Sequence, residues 1–135
     1  MAKYILAHDL GTSGNKAALF SLEGKLGAGV LYEYPVYYPK PGRVEQDPGD
    51  FWKAVCLSTR QLLEKASVSP GDIAAVCFSG QMMGCLLVDG EGRPLRPMII
   101  WADTRADGLK QFHPAANWRR YTKSFSEFSI RPTIL

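Results

Sequence analysis

Residues 4–20, YILAHDLGTSGNKAALF, constrain the fold of this chain more than any other stretch. Two apolar runs of strand length, 4–7 and 17–20, flank a turn containing Gly11, Thr12, Ser13 and Gly14. Such runs joined by a short turn rich in Gly and Ser predict a β-hairpin. The turn also has a chemical reading. Glycine lacks a Cβ, so a phosphate can approach the backbone N–H groups, and the Thr12 and Ser13 hydroxyls add donors. Asp9 at the mouth suits Mg²⁺ held through water, because that ion keeps much of its hydration. Lys16 supplies a point charge for a terminal phosphate. On these residues alone, an ordinary tight turn is the more frequent reading. The spacing is neither that of a P-loop nor a dinucleotide fingerprint.

The rest of the chain supplies the context. Residues 21–25 form a turn and 29–34 a third strand, completing an antiparallel meander. Residues 34–42 contain Pro35, Pro39 and Pro41 and read as an extended loop, with Tyr37 and Tyr38 covering the sheet edge. Asp47 as N-cap, Pro48 at the first position and Asp50 near the positive end open a helix. Phe51, Val55, Leu62 and Ala66 share one face, Trp52 and Leu63 flank it, and 69–71 end it. The continuous apolar run at 73–78 predicts a strand covered on both faces. A turn at 79–84, a strand at 85–88, a hairpin turn at 89–92 and a strand at 98–101 follow, and 102–105 leave toward a helix. The chain is thus an α/β domain with a mixed sheet.

Asp9, Gln81 and the pair Asp103/Arg105 all fall at strand ends, where ligands gather in α/β sheets, and they could share one cleft. Each also has a plainer reading. Met82 and Met83 fit core filler, Asp103 fits a helix cap paired with Arg105, and Trp101 fits packing. His8 alternates with Asp9 along the strand, so it faces the other side and reads as a hydrogen-bonded structural histidine.

Composition excludes several classes. Charged residues make up 21% and hydrophobic residues 46%, as in ordinary globular proteins, and no apolar run is long enough to span a bilayer. The net charge of +3 lies wholly after Phe112, where Arg119, Arg120, Lys123 and Arg131 face only Glu127. The body therefore has no basic nucleic-acid footprint. Cys56, Cys77 and Cys85 lie in apolar runs without zinc-type spacing and read as buried thiols of a cytoplasmic protein.

Four ordered segments then carry a resemblance. DLGTSGNKAALF (9–20), GRVEQDPGDFW (42–52), FSGQMMG (78–84) and PLRPMIIWADTRA (94–106) resemble the N-terminal motifs of FGGY-family carbohydrate kinases, members of the actin-like ATPase superfamily. The resemblance implies a ribonuclease H-like, actin-like ATPase fold, of which residues 1–112 form a partial N-terminal domain. It implies ATP and Mg²⁺ as cofactors and transfer of the γ-phosphoryl to a sugar or polyol hydroxyl. By position, Asp9 would serve the Mg²⁺, Gly11, Thr12 and Ser13 the phosphates, and Lys16 the γ-phosphate. Gln81, Met82 and Met83 would border the sugar, with Asp103 and Arg105 near it. Among subfamilies the chain is similar to xylulokinases, which read Met-His where this chain has Met82-Met83.

The family's catalytic Asp base and adenosine-binding domain correspond to nothing in these residues. The 135 residues are therefore expected to be inactive alone, with exposed apolar surface favouring self-association. The alternative is a non-catalytic sugar- or nucleotide-binding module of the same superfamily. Residues 113–135 continue neither the expected helix nor the sugar-side sequence and read as an atypical, disordered tail. A shifted reading frame would account for it, since one codon choice for HPAANWRR gives IRQQIGE one base further on.

Overall fold

The structure, a computed structural model, describes residues 3–107. The chain divides into a compact unit Met1–Thr104 and a second, Arg105–Leu135, of which little is described. The expected tail at 113–135 lies outside the described residues.

In the first unit, β1 (Tyr4–Leu10), β2 (Gly14–Ser21) and β3 (Leu26–Glu33) form the expected antiparallel meander. A short strand, β4 (Glu45–Gln46), leads into α1 (Pro48–Ala66), whose N-cap Asp47 accepts from the Gly49 N–H at 2.8 Å. The helix stops earlier than 69–71 because Ser67 turns left-handed and its N–H bonds back to the last turn. It returns the chain to β5 (Ile73–Gly80), which lies parallel to β1 and gives the order β3-β2-β1-β5. The sheet is mixed, as predicted.

The core sits between the meander and α1. Leu6, Ala17, Leu19 and Leu62 are buried together, with Tyr4, Val30, Ala66 and Ile73 packed around them. Alternation along β1 and β2 sends these residues inward and puts Asp9 and Lys16 on the other face. On α1, Ala54, Val55, Ser58 and Leu62 face the sheet, while Trp52 is exposed.

Several expectations are corrected. β5 is not covered on both faces: it ends the sheet order, and Val76 and Phe78 are exposed. Cys77 and Cys85 are exposed and Cys56 is half-buried, all as free thiols, so the buried-thiol reading fails. Residues 85–88 make only isolated bridges, Cys85 to Ile99 and Val88 to Pro94, because Pro94 and Pro97 cannot donate to a ladder. The strand expected at 98–101 shortens to β6 (Met98–Ile99), which pairs with β4. The turn at 89–92 is present, closed by Asp89 N–H to the Arg93 carbonyl. No helix among the described residues is long and apolar enough to cross a membrane.

Candidate functional site

The turn between β1 and β2 is held from behind through three successive carbonyls. The Tyr34 hydroxyl donates to the Gly11 carbonyl, Gln46 Nε2 donates to the Thr12 carbonyl at 2.8 Å, and the Tyr34 N–H donates to the Ser13 carbonyl at 3.3 Å. The described peptides are all trans, so each carbonyl points opposite to the N–H that follows it. Pinning the Gly11 and Thr12 carbonyls toward Tyr34 and Gln46 therefore turns the Thr12 and Ser13 N–H groups the other way. Among the described residues neither amide has an acceptor. They form a small concave donor pair of the kind that binds anions.

The supports are themselves fixed. Tyr34 is buried edge-on against Phe51, with ring centroids 5.1 Å apart. Burial, and secondarily the negative charge of Asp9, push its phenol up to about 12, so it stays a donor at neutral pH. Gly14 is required where the turn re-enters β2, since a Cβ there would lie 2.7 Å from the Tyr32 carbonyl oxygen.

Asp9 and Lys16 are register partners on β1 and β2, and their charged atoms lie 3.9 Å apart on an exposed surface. An exposed pair at that distance is weak, so both charges remain available to a ligand. They border a shallow groove with Phe20, Cys77, Phe78 and Ser79. Among the described residues no group of three or more His, Cys, Asp or Glu side chains is placed to hold a metal ion. An all-protein metal cage is thus not offered, while a single carboxylate beside a turn with two unaccepted amides is a donor set that suits Mg²⁺ held with its waters and a phosphate.

His8 lies on the opposite face, 2% exposed, as its alternation with Asp9 requires. Its Nδ1 is 2.9 Å from Asn15 Nδ2, its Nε2 is 3.3 Å from Thr59 Oγ1, and its ring stacks on Phe78. Burial lowers its pKa, outweighing the opposing hydrogen bond to Asn15. It is a satisfied structural histidine.

Beyond β5, the Gln81 N–H continues the sheet by donating to the Leu10 carbonyl at 2.9 Å. Its Nε2 donates to Gln46 Oε1 at 2.7 Å, and its Oε1 is 3.5 Å from Thr12 Oγ1. Trp101 Nε1 donates to Thr12 Oγ1 at 3.0 Å. The structure thus joins Thr12 and Gln81, from two of the predicted segments, directly and through Gln46, with Trp101 bonded to Thr12; sequence reasoning assigned neither Gln46 nor Trp101 to the site. Gln46 stood in a stretch read only as a helix entry. Trp101 was read as packing, yet it is 55% exposed.

Met82 and Met83 are 76% and 84% exposed, which rules out core filler. Met83 adopts a left-handed backbone, φ 60°. Asp103 Oδ2 accepts from the Val44 N–H at 2.7 Å, which fixes the loop before β4; the helix it was expected to cap lies outside the described residues. Arg105 opens the second unit, so its place beside the sugar remains an expectation.

Comparisons with known proteins agree with this architecture. The model of the FGGY family of carbohydrate kinases, N-terminal domain, matches residues 4–123, which extends past Phe112. A glycerol kinase from Nostoc sp. is 42% identical over 107 residues, covering 78% of this chain and 21% of that protein. Among solved structures, a gluconate kinase from Lactobacillus acidophilus superposes with a TM-score of 0.77 at 31% identity, over 92% of this chain and 24% of its own. A xylulose kinase from Brucella ovis gives 0.73 at 37% identity, over 81% and 24%. The chain spans about a fifth of the length of the curated relatives it matches. A match over most of its length places the chain in the FGGY family of carbohydrate kinases, in the N-terminal domain.

Proposed function

We propose that this chain forms the phosphate-facing and sugar-facing wall of an ATP-dependent kinase acting on a hydroxyl of a sugar or polyol. The observation that carries the reading is the pair of unaccepted Thr12 and Ser13 amides, turned outward beside the exposed Asp9 and Lys16. Two amides, a cation and a carboxylate suit a Mg²⁺-bound polyphosphate: donors for the oxygens, Lys16 for the terminal charge, Asp9 for a metal-bound water. Bound Mg²⁺ would supply neutralisation of the charge that develops on the transferring phosphoryl. Gln81, with Met82 and Met83 beside it, would border the acceptor, and Asp103 and Arg105 would lie near it. The similar proteins are named for glycerol, gluconate and xylulose, which keeps the acceptor class at polyhydroxylated small molecules. Methionine at position 83 offers no imidazole to such a hydroxyl and so favours acceptors that need none there. The free thiols suit a reducing, cytoplasmic setting, and the exposed Val76, Phe78 and Trp52 support self-association of the purified chain.

Phosphoryl transfer requires the phosphates, the acceptor and a base aligned in a closed cleft. The 135 residues alone should therefore bind Mg·ATP weakly and turn over no sugar. Calorimetric titration of the purified chain should show Mg²⁺-dependent ATP binding that Asp9→Asn weakens by about tenfold. Binding indifferent to both Mg²⁺ and Asp9→Asn rejects the assignment of the turn. Sugar-dependent ADP release by these residues alone, abolished in Asp9→Asn, rejects the need for a second wall.

A further inference from the structure

We propose that Gln46 is a positioning residue that ties the acceptor wall to the phosphate turn, so that the two half-sites of the proposed kinase set each other's geometry. The proposal rests on the functional reading above, but the linkage itself is a property of the ligand-free chain. Gln46 is 1% exposed, and both ends of its amide are used. Its Nε2 donates to the Thr12 carbonyl at 2.8 Å and reaches the Pro35 carbonyl at 3.3 Å, while its Oε1 accepts from Gln81 Nε2 at 2.7 Å. Gln81 Oε1 faces the Thr12 hydroxyl, and that hydroxyl accepts from Trp101 Nε1. The bonds close a ring that leaves Thr12 through its hydroxyl, passes through Gln81 and Gln46, and returns at its carbonyl.

Direction matters in this ring. The Thr12 carbonyl is trans to the Ser13 N–H, one of the two outward donors, so the bond from Gln46 sets the angle of that donor. Trp101 is exposed and Gln81 half-buried beside it, where an acceptor would touch them. Any rotation of the Gln81 amide on binding changes what Gln46 accepts and therefore how it holds Thr12. An amide is suited to this place because it donates and accepts at once; a thioether does neither well. Imidazole also donates at one nitrogen and accepts at the other, so histidine should preserve the connection.

The test uses ¹⁵N-resolved NMR of the 135-residue chain. In Gln46→Met the Ser13 amide and the Trp101 indole N–H should both shift, although Gln46 makes no bond to Trp101, while the Trp52 indole on α1 stays fixed. Gln46→His should restore both signals toward their original positions. If Gln46→Met does not fold, Gln81→Met serves, because it removes the Gln46 partner at a half-buried rather than fully buried position and should move the Ser13 amide. A folded variant in which Trp101 and Ser13 keep their positions overturns the proposal, as does a Gln46→His chain no closer to the original than Gln46→Met. A glycerol titration separates this from the functional reading. Glycerol that moves Gln81 and Ser13 in the original chain, but only Gln81 in Gln46→Met, supports the coupling. Glycerol that moves Gln81 and leaves Ser13 still in the original chain overturns it. If glycerol and xylulose move neither while the ligand-free shifts occur, the linkage stands and the acceptor assignment falls.

Discussion

Within the β1–β2 hairpin every backbone carbonyl of the turn has a donor, the strands on both sides run for seven and eight residues, and the inward side chains are buried against α1. In the segment from Gln81 to Trp101 the backbone is joined by isolated bridges and a two-residue strand, and Met82, Met83, Leu95 and Trp101 are exposed. The first region is braced at its turn by Tyr34 and Gln46 and closed on its inner face by α1. The second takes its shape from contacts with β4 and the turn, and its side chains face outward. A turn braced at each carbonyl beside a wall joined by isolated bridges suits the proposed function, in which the phosphates need fixed donors and the acceptor side adapts.

The largest effect expected from that contrast is at Gly14. Valine there would drive a Cβ to 2.7 Å from the Tyr32 carbonyl oxygen, a backbone atom that cannot move without breaking the β2–β3 register. Gly14→Val should cost about 2–3 kcal/mol or more, measured from urea midpoints at constant slope. A loss under about 0.5 kcal/mol would mean that the hairpin yields as readily as the wall, and the contrast would dissolve.

The same contrast governs what the sequence disclosed. The hairpin was legible because strand length, turn chemistry and the alternation of His8 with Asp9 are all local signals. The helix start was legible for the same reason, through Asp47 and Pro48. The wall from Gln81 to Trp101 was not. The contacts of Gln46 with Thr12 and Gln81 span 34 and 35 positions, and no periodicity announces them. Trp101 was misread as packing, and the filler reading of the two methionines fails, because hydrophobicity predicts burial only on average. The run 73–78 was read as doubly covered, yet β5 ends the sheet and leaves Val76 and Phe78 exposed. Strand composition reports what a strand can pack against, not what the described residues place there.

A medium effect is expected behind the hairpin. Burial holds the His8 pKa below its ordinary 6.5, so the unfolded chain binds the proton more readily than the folded one. Stability from this group is therefore complete above about pH 6.5 and is lost as pH falls from there toward the folded pKa. Folding free energy should decline with acidification across that window, and His8→Gln should remove that component of the slope. An NMR titration placing the His8 pKa at or above 6.5 would show the imidazole to be solvated, and the rear of the hairpin to be looser than the front.

The smallest effect should come from the wall itself, at Met83. Its left-handed backbone costs a residue with a Cβ about 1–2 kcal/mol, and its side chain is 84% exposed, so little packing offsets that strain. Glycine would remove the strain but would give the unfolded chain more freedom, a loss of about 0.5–1 kcal/mol. The two terms oppose, and Met83→Gly should leave stability within about 1 kcal/mol of the original, on the favourable side. Met83→Val should move the other way, because a β-branched residue tolerates that φ worst. Urea denaturation of the two variants decides the matter. If glycine destabilises the chain as strongly as valine does, then the Met83 side chain is holding the segment in place. The acceptor wall would then be as firmly built as the hairpin, by a contact at the one position where its backbone is strained.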